Sequence, residues 1–355
     1  MADATEPTRG ELVPVAHRAA RLEDAFHDFR ARRARKRGFL STVMPYTGYG
    51  STERVRVLGR VLLAKEPRPG SRAERKNRKR EESIRGWRSF MSVPVNDVSV
   101  QIEIEGTVHS VRPDRGGVID ASIDVHLTPG WHTAHLSTDD AVSISDAPLF
   151  VVDPEARFGV ISDVDDTVMV TALPRPLLAA WNTFVLDEHA RVPTPGMAVL
   201  LERIASRHQG APVIYLSTGA WNVAPTLTRF LSRNLYPAGP LLLTDWGPTH
   251  DRWFRSGTEH KRESLNRLAR EFPRLRWLLV GDDGQHDEEI YAEFAREHPD
   301  QVAAVAIRQL SPGEAVLAGG RAKTVDRSGE GGTPWVFAED GAGLCDQLAE
   351  LGVLT

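Results

Sequence analysis

Residues 158–167 read FGVISDVDDT. A short apolar run ends there in Asp163, Asp165 and Asp166. Such a run, bounded by polar residues, has the pattern of a strand buried on both faces. Four later segments repeat it: APVIYLS at 211–217, GPLLLTD at 239–245, RLRWLLVGDD at 274–283 and QVAAVAIR at 301–308. Amphipathic segments at 222–234, 260–272 and 286–298 fall between them and predict helices. Strand–helix alternation predicts an α/β fold, a Rossmann-like parallel sheet with helices on both faces. Sheets of this kind carry their sites at the carboxyl ends of the strands. Three of the five strands end in reactive groups: Asp163 and Asp165, Ser217, and Asp282 with Asp283.

Each motif has a chemical reading and a plainer one. Two carboxylates spaced as Asp163 and Asp165 supply one group to attack phosphorus and one to protonate the leaving oxygen. A solvated acidic turn has the same composition. Thr167 orders the loop through its hydroxyl. Ser217, followed by Thr218 and Gly219, offers a hydroxyl and backbone N–H groups to a phosphate oxygen; a strand-end serine also caps the helix that follows. Lys261, early in HKRESLNRLARE, neutralises developing phosphoryl charge if it points inward. Otherwise it is a surface lysine.

The segment LLVGDDGQHD at 278–287 brings Asp282, Asp283 and Asp287 to a second strand end. Two like charges 4 Å apart repel by about 4 kcal/mol at an effective dielectric of ~20. Gathering Asp163, Asp165, Asp282 and Asp283 in one pocket therefore calls for a bound cation. Hard oxygen donors with water in the remaining positions suit Mg2+.

In order and spacing these motifs resemble the haloacid dehalogenase-like phosphatases over about residues 155–310. GVISDVDDTV, HKRESLNRLAREFPRLRWLLVGDDGQHDEEIY and VAAVAIR are similar to the catalytic domain of the actin-patch-associated phosphatidate phosphatases and their bacterial relatives. That resemblance implies Asp163 as nucleophile, Asp165 as acid/base, and Ser217 and Lys261 as phosphate ligands. It implies Mg2+ held by Asp163, the backbone carbonyl of Asp165, and Asp282, with Asp283 or Asp287 assisting. An aspartate at position 165 implies phosphate ester hydrolysis rather than dehalogenation. Asp283 departs from the family, which usually carries serine there.

Upstream of the α/β pattern, residues 16–37 predict a helix with Leu22, Phe26 and Phe29 on one face and a basic tail. Residues 55–64, 98–108 and 118–127 predict strands, the last two separated by RPDRGG, and a short helix is expected around Ile84–Met91. The expected organisation is a basic helical extension (1–39), a small antiparallel β domain (40–152), a phosphatase domain (153–312) and a tail (313–355). In that tail RSGEGG at 327–332 reads as a flexible connection before a short helix near 343–351.

Charge is distributed unevenly. Residues 1–90 hold 22 Lys and Arg against 11 Asp and Glu, a net of +11, so the remaining 265 residues sum to −15 within a chain of net −4. The basic stretches 30–37 and 65–80 suit peripheral contact with an anionic membrane; nucleic acid is an alternative that no zinc knuckle or RNA-binding aromatic motif supports. The single cysteine, Cys345, rules out an intramolecular disulfide. Neither a secretory signal nor an apolar run of about 18 residues is present, so a protein that is cytoplasmic or peripheral to a membrane is expected. Segment 172–195 is the expected partial cover of the site, and its Leu177, Leu178, Trp181 and Phe184 either meet acyl chains or pack on the domain. Trp221, Trp246, Trp253 and Phe254 carry the same two readings. The activity expected is Mg2+-dependent hydrolysis of a phosphate monoester, foremost phosphatidate or a related lipid phosphate. A phosphatase for a soluble or protein-borne phosphate and a non-catalytic binding protein are the alternatives.

Overall fold

The computed structural model describes residues 29–64, 93–139, 144–170, 191–244, 250–284, 286–317 and 332–354. A short helix α1 (29–35) precedes an eight-stranded sheet. Its strands are β1 (Leu40–Gly50), β2 (Arg54–Ala64), β3 (Val93–Pro94), β4 (Val100–Ile104), β5 (Thr107–Val111), β6 (Val118–Asp124), β7 (Gly130–Thr138) and β8 (Ser145–Val151). They run in the order β3-β2-β1-β8-β7-β4-β5, with β6 paired to β2.

This sheet is mixed rather than antiparallel as expected. β1 and β8 run parallel, Gly48 opposite Leu149, while the other pairs are antiparallel. The run expected as one strand over 98–108 is a hairpin. Glu105 (φ 48°) and Gly106 (φ 78°) take left-handed backbone and turn β4 into β5. An asparagine or aspartate–glycine pair announces such a turn in sequence; Glu105 hides it. β1, β7 and β8 were not foreseen either, because Pro45, Pro148 and several polar residues interrupt their alternation. In α1, Ala31 is buried and Phe29 is 55% exposed, the reverse of the expected apolar face. The expected helix at 84–91 and basic stretch 65–80 lie outside the described residues, as do 16–28 of the first helix.

The second sheet follows the α/β expectation. Its strands are β9 (Phe158–Asp163), β12 (Val213–Ala220), β13 (Leu241–Thr244), β14 (Arg276–Asp282), β15 (Val302–Arg308) and β16 (Trp335–Ala338), all parallel, in the order β13-β12-β9-β14-β15-β16. A two-stranded ribbon of β10 (Met169–Val170) and β11 (Val192–Pro193) stands after β9. The helices are α2 (Met197–Arg207), α3 (Ala224–Arg233), α4 (His250–Glu271), α5 (Asp287–Glu297), α6 (Pro312–Leu317) and α7 (Gly341–Glu350). β16 lies where a tail was expected; at four residues, WVFA is too short for alternation to announce it. Of the expected cover, 172–190 lies outside the described residues, as do Trp246 and the side chains of Trp253 and Phe254.

Strand order places the site. From β9 the chain adds β12 and β13 on one side, then returns to add β14 on the other. β9 is therefore the topological switch point, where the crevice of an open α/β sheet forms. The ladder sets the ends level: Asp163 lies opposite Leu216, and Ser162 opposite Val280. Val160, Ile161 and Trp277 through Val280 are fully buried, which is why these strands read as unbroken apolar runs. Among the described residues no helix is long and apolar enough to cross a membrane.

Candidate active site

Five backbone segments deliver side chains to the carboxyl end of β9. Asp163 is its last residue and is buried. Lys261 comes from the middle of α4, and its Nζ donates to Asp163 Oδ1 at 2.6 Å and to Asp287 Oδ1 at 2.5 Å. Asp287 is the first residue of α5, where the positive end of the helix dipole favours a carboxylate. Asp282 closes β14; its Oδ1 accepts from the Gly284 N–H at 2.7 Å and its Oδ2 from Thr167 Oγ1 at 3.4 Å. Ligand atoms of Asp163, Asp282 and Asp287 lie within 4.8 Å of one another, and all three residues are buried.

Gly281 makes this approach possible. A Cβ there would stand 2.7 Å from the Tyr291 ring and 2.8 Å from Asp287 Oδ2. Any side chain at 281 would push α5, and Asp287 with it, away from β14.

The second half of the site stands on β12. Ser217 Oγ donates to Asp165 Oδ2 at 2.8 Å and accepts from the Gly219 N–H at 2.9 Å. Thr244 Oγ1, at the end of β13, lies 3.0 Å from the Thr218 carbonyl and 3.2 Å from that of Gly219. The structure thus brings together Asp163, Asp165, Ser217, Lys261, Asp282 and Asp287. Asp283 is turned elsewhere: its Oδ1 accepts from the Leu310 N–H at 2.8 Å, and it stands outside the triple that can share an ion.

Arg308 was not singled out in the sequence. It is buried at the end of β15 and donates to the Asp166 carbonyl at 2.7 Å, to Glu314 at 2.7 Å and to the Glu339 carbonyl at 3.2 Å. It thereby fixes the acidic loop after β9, in which Asp166 takes left-handed backbone at φ 60°. Only the terminal position of this arginine on an apolar strand hinted at such a role.

The electrostatics follow from crowding. Burial, then the neighbouring Asp287, Asp282 and Asp165, push the Asp163 carboxyl well above the usual aspartate value, against the opposing pull of Lys261. Burial, then Asp287 and Asp166, raise Asp282 in the same direction. Burial opposes the charge on Lys261, but Asp163 and Asp287 outweigh it and raise its pKa. Three carboxylates around one ammonium leave two negative charges unbalanced if all ionise, in a space from which water is largely excluded. Oxygen donors of this kind fit Mg2+ rather than a softer metal.

Comparison with known proteins finds similarity over the segment that carries these residues. A family model described as "Phosphatidate phosphatase APP1, catalytic domain" matches residues 158–309. Phosphatidate phosphatase APP1 of Saccharomyces cerevisiae is 29% identical over 157 residues, 43% of this chain and 26% of that protein. Uncharacterized protein C29B5.04c of Schizosaccharomyces pombe is 28% identical over 163 residues, 42% of this chain and 25% of its own. The chain therefore spans about a quarter of the length of the curated relatives it matches. A solved structure of the Pnkp1/Rnl/Hen1 RNA repair complex shares 24% identity over 41% of this chain and 42% of that one, with a TM-score of 0.29 that supports no argument. The α/β part of this chain is thus similar to a phosphatidate phosphatase catalytic domain, and its buried aspartates are of the kind that chelate a divalent cation.

A carboxyl whose pKa is raised on folding stabilises the fold most below its unfolded value and loses that contribution as the pH rises through its folded one. In metal-free protein, Asp282→Asn is therefore expected to raise the thermal midpoint by ~2–4 °C at about pH 8 and by less at about pH 5. Scanning calorimetry in chelator measures both; a midpoint lowered equally at the two pH values would contradict the crowding.

Proposed function

We propose that this chain is a Mg2+-dependent phosphatase of the haloacid dehalogenase type, hydrolysing a phosphate monoester through a phosphoryl group carried on Asp163. The observation that carries the reading is the contact of Lys261 with both Asp163 and Asp287, beside Asp282, on separate elements of the chain. In the first step an Asp163 oxygen attacks phosphorus, the bond to the leaving oxygen breaks, and Asp165 gives that oxygen its proton. In the second, Asp165 takes a proton from water as the water oxygen attacks phosphorus, and the Asp163–phosphorus bond breaks to release inorganic phosphate. Lys261 holds Asp163 and offsets charge on the phosphoryl oxygens. The Ser217 hydroxyl and the backbone of Thr218 and Gly219 orient the phosphate. Asp163, the Asp165 carbonyl, Asp282 and Asp287 would hold Mg2+, which supplies charge neutralisation and polarises the phosphoryl oxygens. The catalytic unit proposed begins near residue 153, and β16 with α7 completes it, since β16 extends the same sheet.

Phosphatidate or a related lipid phosphate is the proposed substrate, supported by the similarity over 158–309. Hydrolysis of phosphatidate in mixed micelles is expected to need Mg2+, and Asp163→Asn to lower kcat at least ~10³-fold. Turnover of soluble sugar or nucleotide phosphates without phosphatidate would remove the lipid assignment alone. An unchanged rate in Asp163→Asn would remove the mechanism.

A peripheral contact with anionic membrane accompanies this reading. α1 is fastened by Ala31 in the core and by a bidentate pair from Arg35 to Asp97, at 2.9 and 2.7 Å. Arg32, Arg33, Lys36 and Arg37 are left exposed on and just after it. Each contributes about 1 kcal/mol near an anionic surface. Changing these four to glutamate is expected to weaken co-sedimentation with phosphatidylserine vesicles while hydrolysis of a soluble aryl phosphate is unaffected. Undiminished sedimentation would refute the contact.

A further inference from the structure

Among the described residues, Tyr46 of the mixed sheet reaches the segment that follows Ser217. Tyr46, on β1, is buried, and its ring stacks on Trp221 with centroids 4.9 Å apart and planes 13° from parallel. Its hydroxyl donates to the Trp221 carbonyl at 3.1 Å. Trp221 opens the 3-10 turn Trp221–Val223 directly after β12, two residues beyond Gly219. The same carbonyl accepts the Ala224 N–H that leads into α3. Tyr46 therefore grips the point where the Ser217-Thr218-Gly219 segment is anchored to the next helix.

That segment needs anchoring from outside the ladder. Pairing of β12 with β13 is regular at Tyr215 and Leu216, then shifts register before resuming at Ala220 opposite Thr244. Ser217, Thr218 and Gly219 fall in the interval, where the pairing with β13 is out of regular register. The Thr244 hydroxyl holds one side of it. The Tyr46–Trp221 contact holds its far end, and Tyr46 belongs to the other sheet.

We propose that Tyr46 is a positioning residue for the irregular Ser217–Gly219 segment of β12, which makes the N-terminal sheet a working part of the site rather than an appendage. What this segment binds rests on the phosphatase reading; the clamp itself does not. Tyr49, three residues on along β1, is the natural control. It packs on Phe272 at 6.1 Å and its hydroxyl accepts from Arg56 Nη1 at 3.0 Å, so it ties the mixed sheet to the end of α4, away from Trp221.

The test is amide hydrogen exchange of the full chain as wild type, Tyr46→Phe, Tyr46→Ala and Tyr49→Phe. Tyr46→Phe keeps the ring and loses one hydrogen bond, so exchange over 217–224 is expected to accelerate roughly fivefold, with β4 and β7 unchanged. Tyr46→Ala accelerates it further, and Tyr49→Phe leaves it at the wild-type rate. In parallel, Tyr46→Phe is expected to raise KM for a soluble aryl phosphate about fivefold with kcat within about twofold. Unchanged exchange over 217–224 in Tyr46→Phe, or equal acceleration in Tyr49→Phe, would overturn the clamp. If the wild type hydrolyses no phosphate ester, the phosphatase reading fails while the exchange data still decide the clamp.

Discussion

One buried ammonium stands between carboxylates that would otherwise repel one another. Lys261 bonds Asp163 and Asp287 at once, and Asp282 completes a set whose ligand atoms lie within 4.8 Å. Removing one partner of a buried ion pair costs about 3–5 kcal/mol, because it strands the other charge away from water. The arrangement is under tension even when complete, with negative charge in excess and two aspartates raised well above their usual range. A site loaded in this way is suited to a divalent cation.

The fold makes such crowding affordable by fixing each group on a rigid element. Asp163 and Asp282 sit on neighbouring central strands whose ladder aligns their ends. Gly281 lets α5 come close enough for Asp287 to join them. Arg308 and Thr167 tie down the loop that carries Asp165 and Asp166. On the other side, the Ser217–Gly219 segment of β12 lies where its pairing with β13 shifts register, and side chains from β13 and β1 hold its two ends.

The parallel sheet was legible because buried parallel strands are unbroken apolar runs, and FGVISD, VIYLS and RWLLVGD differ sharply from their surroundings. The strand-end groups were legible for the same reason, since a reactive residue directly after such a run has its position set. Asp287 was harder to place. It belongs to a helix, and only the close approach allowed by Gly281 shows that it, rather than Asp283, faces the cluster. The mixed sheet was poorly legible. Its strands are half-exposed, interrupted by Pro45 and Pro148, and turned at Glu105-Gly106 without the usual hairpin residues. Long-range pairing such as β1 with β8 leaves no local mark, and neither does the contact of Tyr46 with a tryptophan 175 positions away.

The central claim is that these aspartates hold one divalent ion in common. Titrating metal-free full-length protein with Mg2+ in a calorimeter addresses it without reference to any substrate. One ion per chain is expected, with binding lost in Asp282→Asn and in Asp163→Asn alike. Absence of binding, or binding indifferent to both substitutions, would contradict the account.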